Sequence, residues 1–193
     1  MLNELKEYAK AHNVPIVRDE GLLVLLNEVK KNNYKSVLEI GSAIGYSAIN
    51  FALLGCTVTT IERDQKMYDI AKDNIHKFSL DEKIELVFSD ALDYTPNKKY
   101  DLIFIDAAKA QNIKFFLRFS PFLNDNGVII VDNLDFHGLT DKDPKELSKN
   151  LRSLIRKINE FKEFLKDNKE FDTTFIHDGD GMSISRKNDI SGN

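Results

Sequence analysis

Leu38-Glu39-Ile40-Gly41-Ser42-Ala43-Ile44-Gly45-Tyr46-Ser47 reads as the end of an apolar strand, a turn carrying two glycines and the first turn of a helix. Glycine lets a backbone come close to a ligand at a helix N-terminus, where unpaired N–H groups point outward. The spacing of Gly41, Ala43 and Gly45 departs from G-x-G-x-x-G, and no G-K-[ST] follows, which excludes a P-loop. Alone, this turn does not name a ligand; its neighbours give it a place in a fold.

Short β-branched runs recur along the chain: Ser36 to Gly41, Thr57 to Glu62, Ile84 to Asp90, Tyr100 to Asp106 and Gly127 to Asp132, alternating with stretches of helical period. Such alternation predicts an α/β fold, with a parallel sheet, helices on both faces and a ligand along the carboxyl ends of the strands. Upstream, Leu2 to Ala11 and Glu20 to Lys31 read as helices, broken at Val14-Pro15-Ile16. Downstream come a loop from Asn133 to Asp143, a long helix from about Pro144 to Asp167, and the runs Phe171 to His177 and Met182 to Lys187. The Gly179-Asp180-Gly181 turn joins those last two as an antiparallel hairpin.

With 193 residues, 42% of them hydrophobic, the chain can bury one sizeable core. The expectation is a single domain over residues 1–187, opened by N-terminal helices in 1–31 and followed by a flexible tail at 188–193. Met1 to Lys10 alternates charged and apolar residues, unlike a signal peptide, and no run approaches the roughly 20 apolar residues that span a bilayer. A cytoplasmic protein without membrane contact follows as an expectation. Cys56 is the only cysteine, so neither an internal disulfide nor a thiolate metal cage can form, and it reads as a small buried apolar residue. A net charge of -4 offers nucleic acid no general attraction; a polyanion would have to meet a local basic patch.

The five predicted parallel strands end in Glu39, Glu62, Asp90, Asp106 and Asp132. Acids crowded along one edge are unfavourable unless they accept hydrogen bonds or meet cations. Any one of them could simply cap the next helix; together they point to a ligand rich in hydroxyls and positive charge. Glu62 is placed to hold both hydroxyls of a ribose, and Asp90-Ala91 to meet an adenine amino group. A nicotinamide-dependent oxidoreductase would share Glu62, but the chain lacks its G-x-G-x-x-G spacing and has little length left for a substrate domain. Asp106 with Asp132-Asn133 offers two carboxylates and an amide carbonyl, hard oxygen ligands for Mg²⁺ or a similar divalent cation. The bland alternative is that Asp132 caps a loop and Asn133 makes a turn. Lys109 follows in Asp106-Ala107-Ala108-Lys109, where one helical turn would set its amine beside the metal. A neighbouring cation favours the neutral, proton-accepting amine; in isolation the residue would read as a surface lysine at a helix start.

These segments, in this order and spacing, resemble the cation-dependent O-methyltransferases that include catechol and caffeoyl-coenzyme A methyltransferases. The resemblance runs through Val14-Pro15-Ile16, Glu39 to Ser47, Ile61-Glu62, Ser89-Asp90-Ala91, Phe104 to Lys109, Val131-Asp132-Asn133 and Gly179-Asp180-Gly181. It implies a Rossmann-like class I methyltransferase fold with a seven-stranded, mostly parallel sheet, and a homodimer. It further implies S-adenosylmethionine contacts at Glu39, Gly41, Ser47, Glu62, Asp90, Ala91 and Asp106, metal ligands at Asp106, Asp132 and Asn133, and a catalytic lysine at Lys109. In such enzymes the metal chelates two neighbouring substrate oxygens, and the deprotonated one attacks the sulfonium methyl in line. Retention of Asp106, Lys109, Asp132 and Asn133 together argues against a catalytically silent fold.

Within the family the chain looks most like the bacterial enzymes that convert 5-hydroxyuridine to 5-methoxyuridine at the wobble position of tRNA. The carrying features are Tyr8-Ala9, the Phe136-x-Gly138-Leu139 loop and the stretch from Leu151-Arg152-Ser153 to Phe171-Asp172-Thr173. In 5-hydroxyuridine a hydroxyl lies beside the O4 carbonyl, a vicinal oxygen pair that chelates a metal much as catechol does, so a small-molecule catechol-type methyltransferase is the main rival. Lys145, Lys149, Arg152 and Arg156 fall on one helix face, opposite Leu147, Leu151, Leu154, Ile158, Phe161 and Leu165. That basic face could meet phosphates of the tRNA anticodon region, with Arg18 and His137 extending it, or be a solvated surface. The resembling tRNA enzymes often carry lysine where His137 stands.

Overall fold

The computed structural model describes residues 1–135, 147–177 and 179–188. Five strands run parallel: β1 (Ser36–Ile40), β2 (Thr57–Glu62), β3 (Ile84–Phe88), β4 (Tyr100–Ile105) and β5 (Leu123–Asp132). β6 (Phe171–Ile176) and β7 (Met182–Lys187) complete a seven-stranded sheet in the order β3-β2-β1-β4-β5-β7-β6, with β7 antiparallel to both neighbours. The chain lays down β1 to β3 in one direction and then returns to place β4 on the other side of β1. Ligands of open α/β sheets collect at such a reversal.

The central strands read as unbroken apolar runs because both of their faces are covered. Val37, Leu102 and Phe104 point into a core shared with α1 (Leu2–Ala11), α2 (Asp19–Asn32), α3 (Tyr46–Leu53) and α4 (Gln65–Lys77). Leu38, Ile103 and Ile105 point into the opposite core, against α5 (Asn112–Phe119) and α6 (Lys149–Asp167). There the Phe116 ring meets Phe161, Phe164 and Phe171 edge-on, with centroids 6.2, 5.6 and 5.0 Å away, which pins α5, α6 and β6 together. No helix among the described residues is long and apolar enough to cross a membrane.

Several expected boundaries move. β3 ends at Phe88, so Asp90 lies in the loop beyond it, and β5 begins at Leu123, with an irregularity in its pairing to β4 between Tyr100 and Leu102. The long helix begins at Lys149, because the Ser148 side chain accepts the Leu151 N–H at 3.3 Å and caps it; Leu147 and Ser148 are outside the helix. The expected start at Pro144, with Lys145 and His137, lies outside the described residues, as do the Phe136-Gly138-Leu139 loop and tail residues 189–193. Finally, β6 and β7 pair as expected, but residues 177–181 separate them, a longer connection than a tight glycine turn.

Candidate active site

A cleft of about 1390 Å³ opens along the carboxyl ends of the parallel strands. Its floor is formed by Ile40-Gly41 after β1, Glu62 at the end of β2, Ser89-Asp90-Ala91 after β3, Asp106 to Lys109 after β4 and Asn133 after β5. Gly41, at a φ of +97°, has to be glycine twice over: the backbone is left-handed, and a Cβ there would run into the Asp106 carbonyl oxygen. β1 and β4 can therefore bring their ends together at the reversal point.

On the β1–β2 side the acids are met by donors. Glu62 Oε2 accepts the Ala43 N–H at 2.8 Å, and Oε1 accepts the N–H groups of Arg63 and Asp64 at 2.9 and 2.8 Å. The carboxylate thereby braces the turn that sequence alone left undefined. Asp90 accepts the Leu92 N–H at 2.9 Å and pairs with Arg63 at 3.3 Å. Glu39 departs from its expected role as a direct ligand contact: it is fully buried and does not line the cleft. It lies one residue inside β1 and points into the protein, where its carboxyl meets the hydroxyls of Ser47 and, at 2.5 Å, Thr60. Burial pushes its pKa up to about 8 against those two hydrogen bonds, with the charges of Asp106 and Glu62 adding to the rise. Glu39 thus anchors Ser47 from inside the protein, and Ser47 is the one that reaches the cleft.

On the β4–β5 side one acid is paired and the other is buried under its charge. Asp106 Oδ1 accepts the Lys109 ammonium at 2.8 Å and the Asn133 side-chain amide at 3.3 Å. Asp132 is buried, and burial followed by the charge of Asp106 raises its pKa to about 7. Lys109 arrives where expected by a different route: Ala107 and Ala108 are not helical, and Lys109 opens a short 3₁₀ turn through Gln111. Two carboxylates forced together, an amide on a left-handed turn (Asn133, φ +64°) and a lysine fit a hard divalent cation, whose charge would relieve the repulsion. Among the described residues no cluster of three or more His, Cys, Asp or Glu side chains is placed for a metal, so a cation here would need the Asn133 amide as its third protein donor.

The roof of the cleft was not visible as such in sequence. Val14, Pro15, Ile16 and Val17, the first three legible as a helix break and as part of the family resemblance, line the site together with Lys6 and Lys10 of α1. An apolar run between two helices, with no helical place of its own, was the available signal. Arg18 also lines the cleft, and its Nε pairs with Asp180 at 2.8 Å, which joins the roof to the β6–β7 connection. Lys149, Arg152 and Arg156 are exposed on α6, away from the cleft lining, and Arg156 leans on Glu160 at 3.7 Å. The buried side of α6 is Ile155, Ile158, Phe161 and Leu165.

Comparison with known proteins agrees with this geometry. The family described as O-methyltransferase matches residues 1–188. The crystal structure of a Staphylococcus aureus protein assigned as a caffeoyl-CoA O-methyltransferase superposes with a TM-score of 0.93 at 36% identity, covering 97% of this chain and 92% of that one. An O-methyltransferase from Bacillus cereus in complex with SAH superposes with a TM-score of 0.82 at 26% identity, covering 97% and 90%. The caffeoyl-CoA O-methyltransferase of Populus kitakamiensis is 28% identical across 94% of this chain and 82% of its own length.

Proposed function

Because the chain belongs to the O-methyltransferase family, we propose that it transfers the methyl group of S-adenosylmethionine to a hydroxyl oxygen held beside Lys109. The observation that carries this reading is the position of Asp106, which lines the donor cleft and also bonds Lys109 and Asn133. One carboxylate thus joins the two halves of the site. Glu62 would hold the ribose hydroxyls with the lone pairs its three backbone donors leave open, Ala91 and Asp90 would meet the adenine, and Gly41 would let the backbone approach the donor's amino-acid portion. A magnesium-type cation on Asp106, Asp132 and Asn133 would supply Lewis acidity that favours the ionised form of an acceptor hydroxyl. In its neutral form the Lys109 amine would take the acceptor's proton and become an ammonium, while the cleft walls would hold oxygen and methyl carbon in line.

For the acceptor we propose 5-hydroxyuridine at the wobble position of tRNA, methylated to 5-methoxyuridine. Its adjacent hydroxyl and carbonyl suit the two-carboxylate site, and the exposed Lys149 and Arg152 offer charge to an RNA backbone. The homodimer implied by the family resemblance belongs to the same reading and is checked by light scattering. A small catechol-type acceptor is the second reading, favoured by relatives such as the Mycobacterium tuberculosis catechol O-methyltransferase, 32% identical over 52% of this chain and 48% of that one. Mass spectrometry of wobble nucleosides from cells lacking the protein separates them. Accumulated 5-hydroxyuridine supports the tRNA acceptor; unchanged nucleosides with turnover of catechol in vitro support the second.

A further inference from the structure

Of the proposed metal donors, Asp132 is the last residue of β5 and Asn133 lies just past it. Strand pairing stops at Asp132, and Asn133 stands at a φ of +64°. What fixes this stretch is the chain just after it. The Leu134 N–H donates to the Gly181 carbonyl at 3.0 Å, and the Asp135 N–H to the Asp180 carbonyl at 2.9 Å. The Asp135 side chain then reaches two more elements: Oδ1 accepts Lys162 Nζ of α6 at 2.8 Å, and Oδ2 contacts His177 Nδ1, just after β6, at 3.0 Å. The Asp135 and Lys162 side chains are only 20% and 19% exposed, so their pairing is shielded from water to a degree that surface ion pairs are not. Room for the carboxylate depends on Gly181, where a Cβ would lie 2.5 Å from Asp135 Cγ and Oδ2 and 2.8 Å from its nitrogen.

We propose that Asp135 is a positioning residue: its carboxylate, braced by Lys162 and His177 and admitted by the missing side chain of Gly181, sets Asp132 and Asn133 in place against Asp106. The assignment rests on the proposed metal-assisted reading and deepens it. Asp135 touches neither the reacting oxygen nor the methyl group. Its effect passes along the backbone, since Asn133 is two residues from the residue that is clamped and Asp132 is the last paired residue of β5. Severing the clamp frees that stretch to rotate, and the donors then leave the geometry a hard cation needs. The Glu62 side of the cleft, built on other strands, keeps its shape.

The test uses the full chain with Mn²⁺ as probe, titrated by electron paramagnetic resonance without methyl donor or acceptor. Calorimetry of S-adenosylhomocysteine binding and thermal melting run in parallel. Asp135→Asn keeps the shape and removes the charge; it is expected to weaken Mn²⁺ binding about 10-fold or more, as loss of an outer partner of a metal site does, with S-adenosylhomocysteine affinity unchanged. Gly181→Ala, which intrudes on the carboxylate from the other side, and Lys162→Met are expected to shift Mn²⁺ binding in the same direction. In turnover, the metal concentration needed for half-maximal rate rises, and saturating Mn²⁺ restores kcat. Wild-type Mn²⁺ affinity in Asp135→Asn overturns the proposal, as does a uniform loss of both ligands alongside a lowered melting temperature. If Asp135→Asn does not fold, Lys162→Met decides by the same criteria. A wild-type chain that binds no Mn²⁺ overturns the metal-assisted reading and this assignment together, an outcome distinct from a wild type that binds and variants that bind equally well.

Discussion

At the ends of β1 and β2 the acids are answered by backbone N–H groups and buried hydroxyls, whereas Asp106, just after β4, meets the side chains of Lys109 and Asn133, and its charge acts on the buried Asp132 at the end of β5. Glu62 accepts three backbone hydrogen bonds, and Glu39 sits in a buried niche between the hydroxyls of Ser47 and Thr60, its pKa pushed up by burial. Asp132 is also buried, and burial is the main cause of its raised pKa, with the charge of Asp106 second. The first arrangement is complete without a cation and presents a preformed surface to a polar ligand. The second gathers two acids, one of them buried with its pKa raised, around a lysine and an amide, as metal sites and catalytic pairs do. The contrast suggests that one half of the cleft binds and the other reacts, with Asp106 between them.

The sharpest way to break that division is Asp132→Ala. Loss of a metal donor removes several kcal/mol of transition-state stabilisation, so turnover is expected to fall by about 10³-fold or more. Calorimetry should find affinity for the methyl donor nearly intact; lost donor affinity with normal turnover would falsify the division. Lys109→Met is expected to cost about 10²-fold or more in kcat, the usual scale for a general base, while Mn²⁺ still binds. The reciprocal case is Glu62→Gln, which weakens charge-assisted hydrogen bonds and should lower donor affinity roughly 10-fold without shifting the Mn²⁺ titration. A variant that moved both ligands equally would show the halves to be one unit.

Glu39 sharpens the comparison through stability. Its folded pKa of about 8 exceeds the ordinary 4.5, so between those values the folded protein binds more protons than the unfolded chain. Its contribution is therefore fully present below pH 4.5 and is lost as pH rises through about 8, a decline on the order of a few kcal/mol. Urea denaturation of Glu39→Gln across that window should show a flatter slope than wild type; an equal slope would mean that Glu39 is ionised in its niche. The smallest effect is expected at the periphery. Arg152→Glu should weaken tRNA binding a few-fold at low salt and less at high salt, since exposed charge is screened. Filter binding that shows no change across a salt series would remove α6 from any RNA interface.

How far each of these regions could be read in advance follows from what holds it. The parallel strands announce themselves because residues such as Leu102 to Ile105 are buried on both faces and must all be apolar. The placing of Glu62, Asp106, Lys109 and Asn133 around one cleft was legible for a related reason: strands in register put their ends on one edge, whatever the details. Glu39 misled because it stands one residue inside β1, and in a pleated strand a single step reverses the direction of a side chain. The start of α6 was placed too early because periodicity cannot tell where a serine hydroxyl will capture the first free N–H.

Taken alone, the sequence determined the α/β layering, the acids at the strand ends, the single cysteine and the two-faced long helix, since each follows from a period or a count that any fold of this chain must respect. Tertiary structure alone decided that Val14 to Val17 would roof the cleft, that Arg18 would meet Asp180, and that Lys162, His177 and Gly181 would converge on Asp135. These partners are distant along the chain and share no repeat. Only the folding of the sheet and its helices brings them within hydrogen-bonding reach, and no local propensity records that encounter.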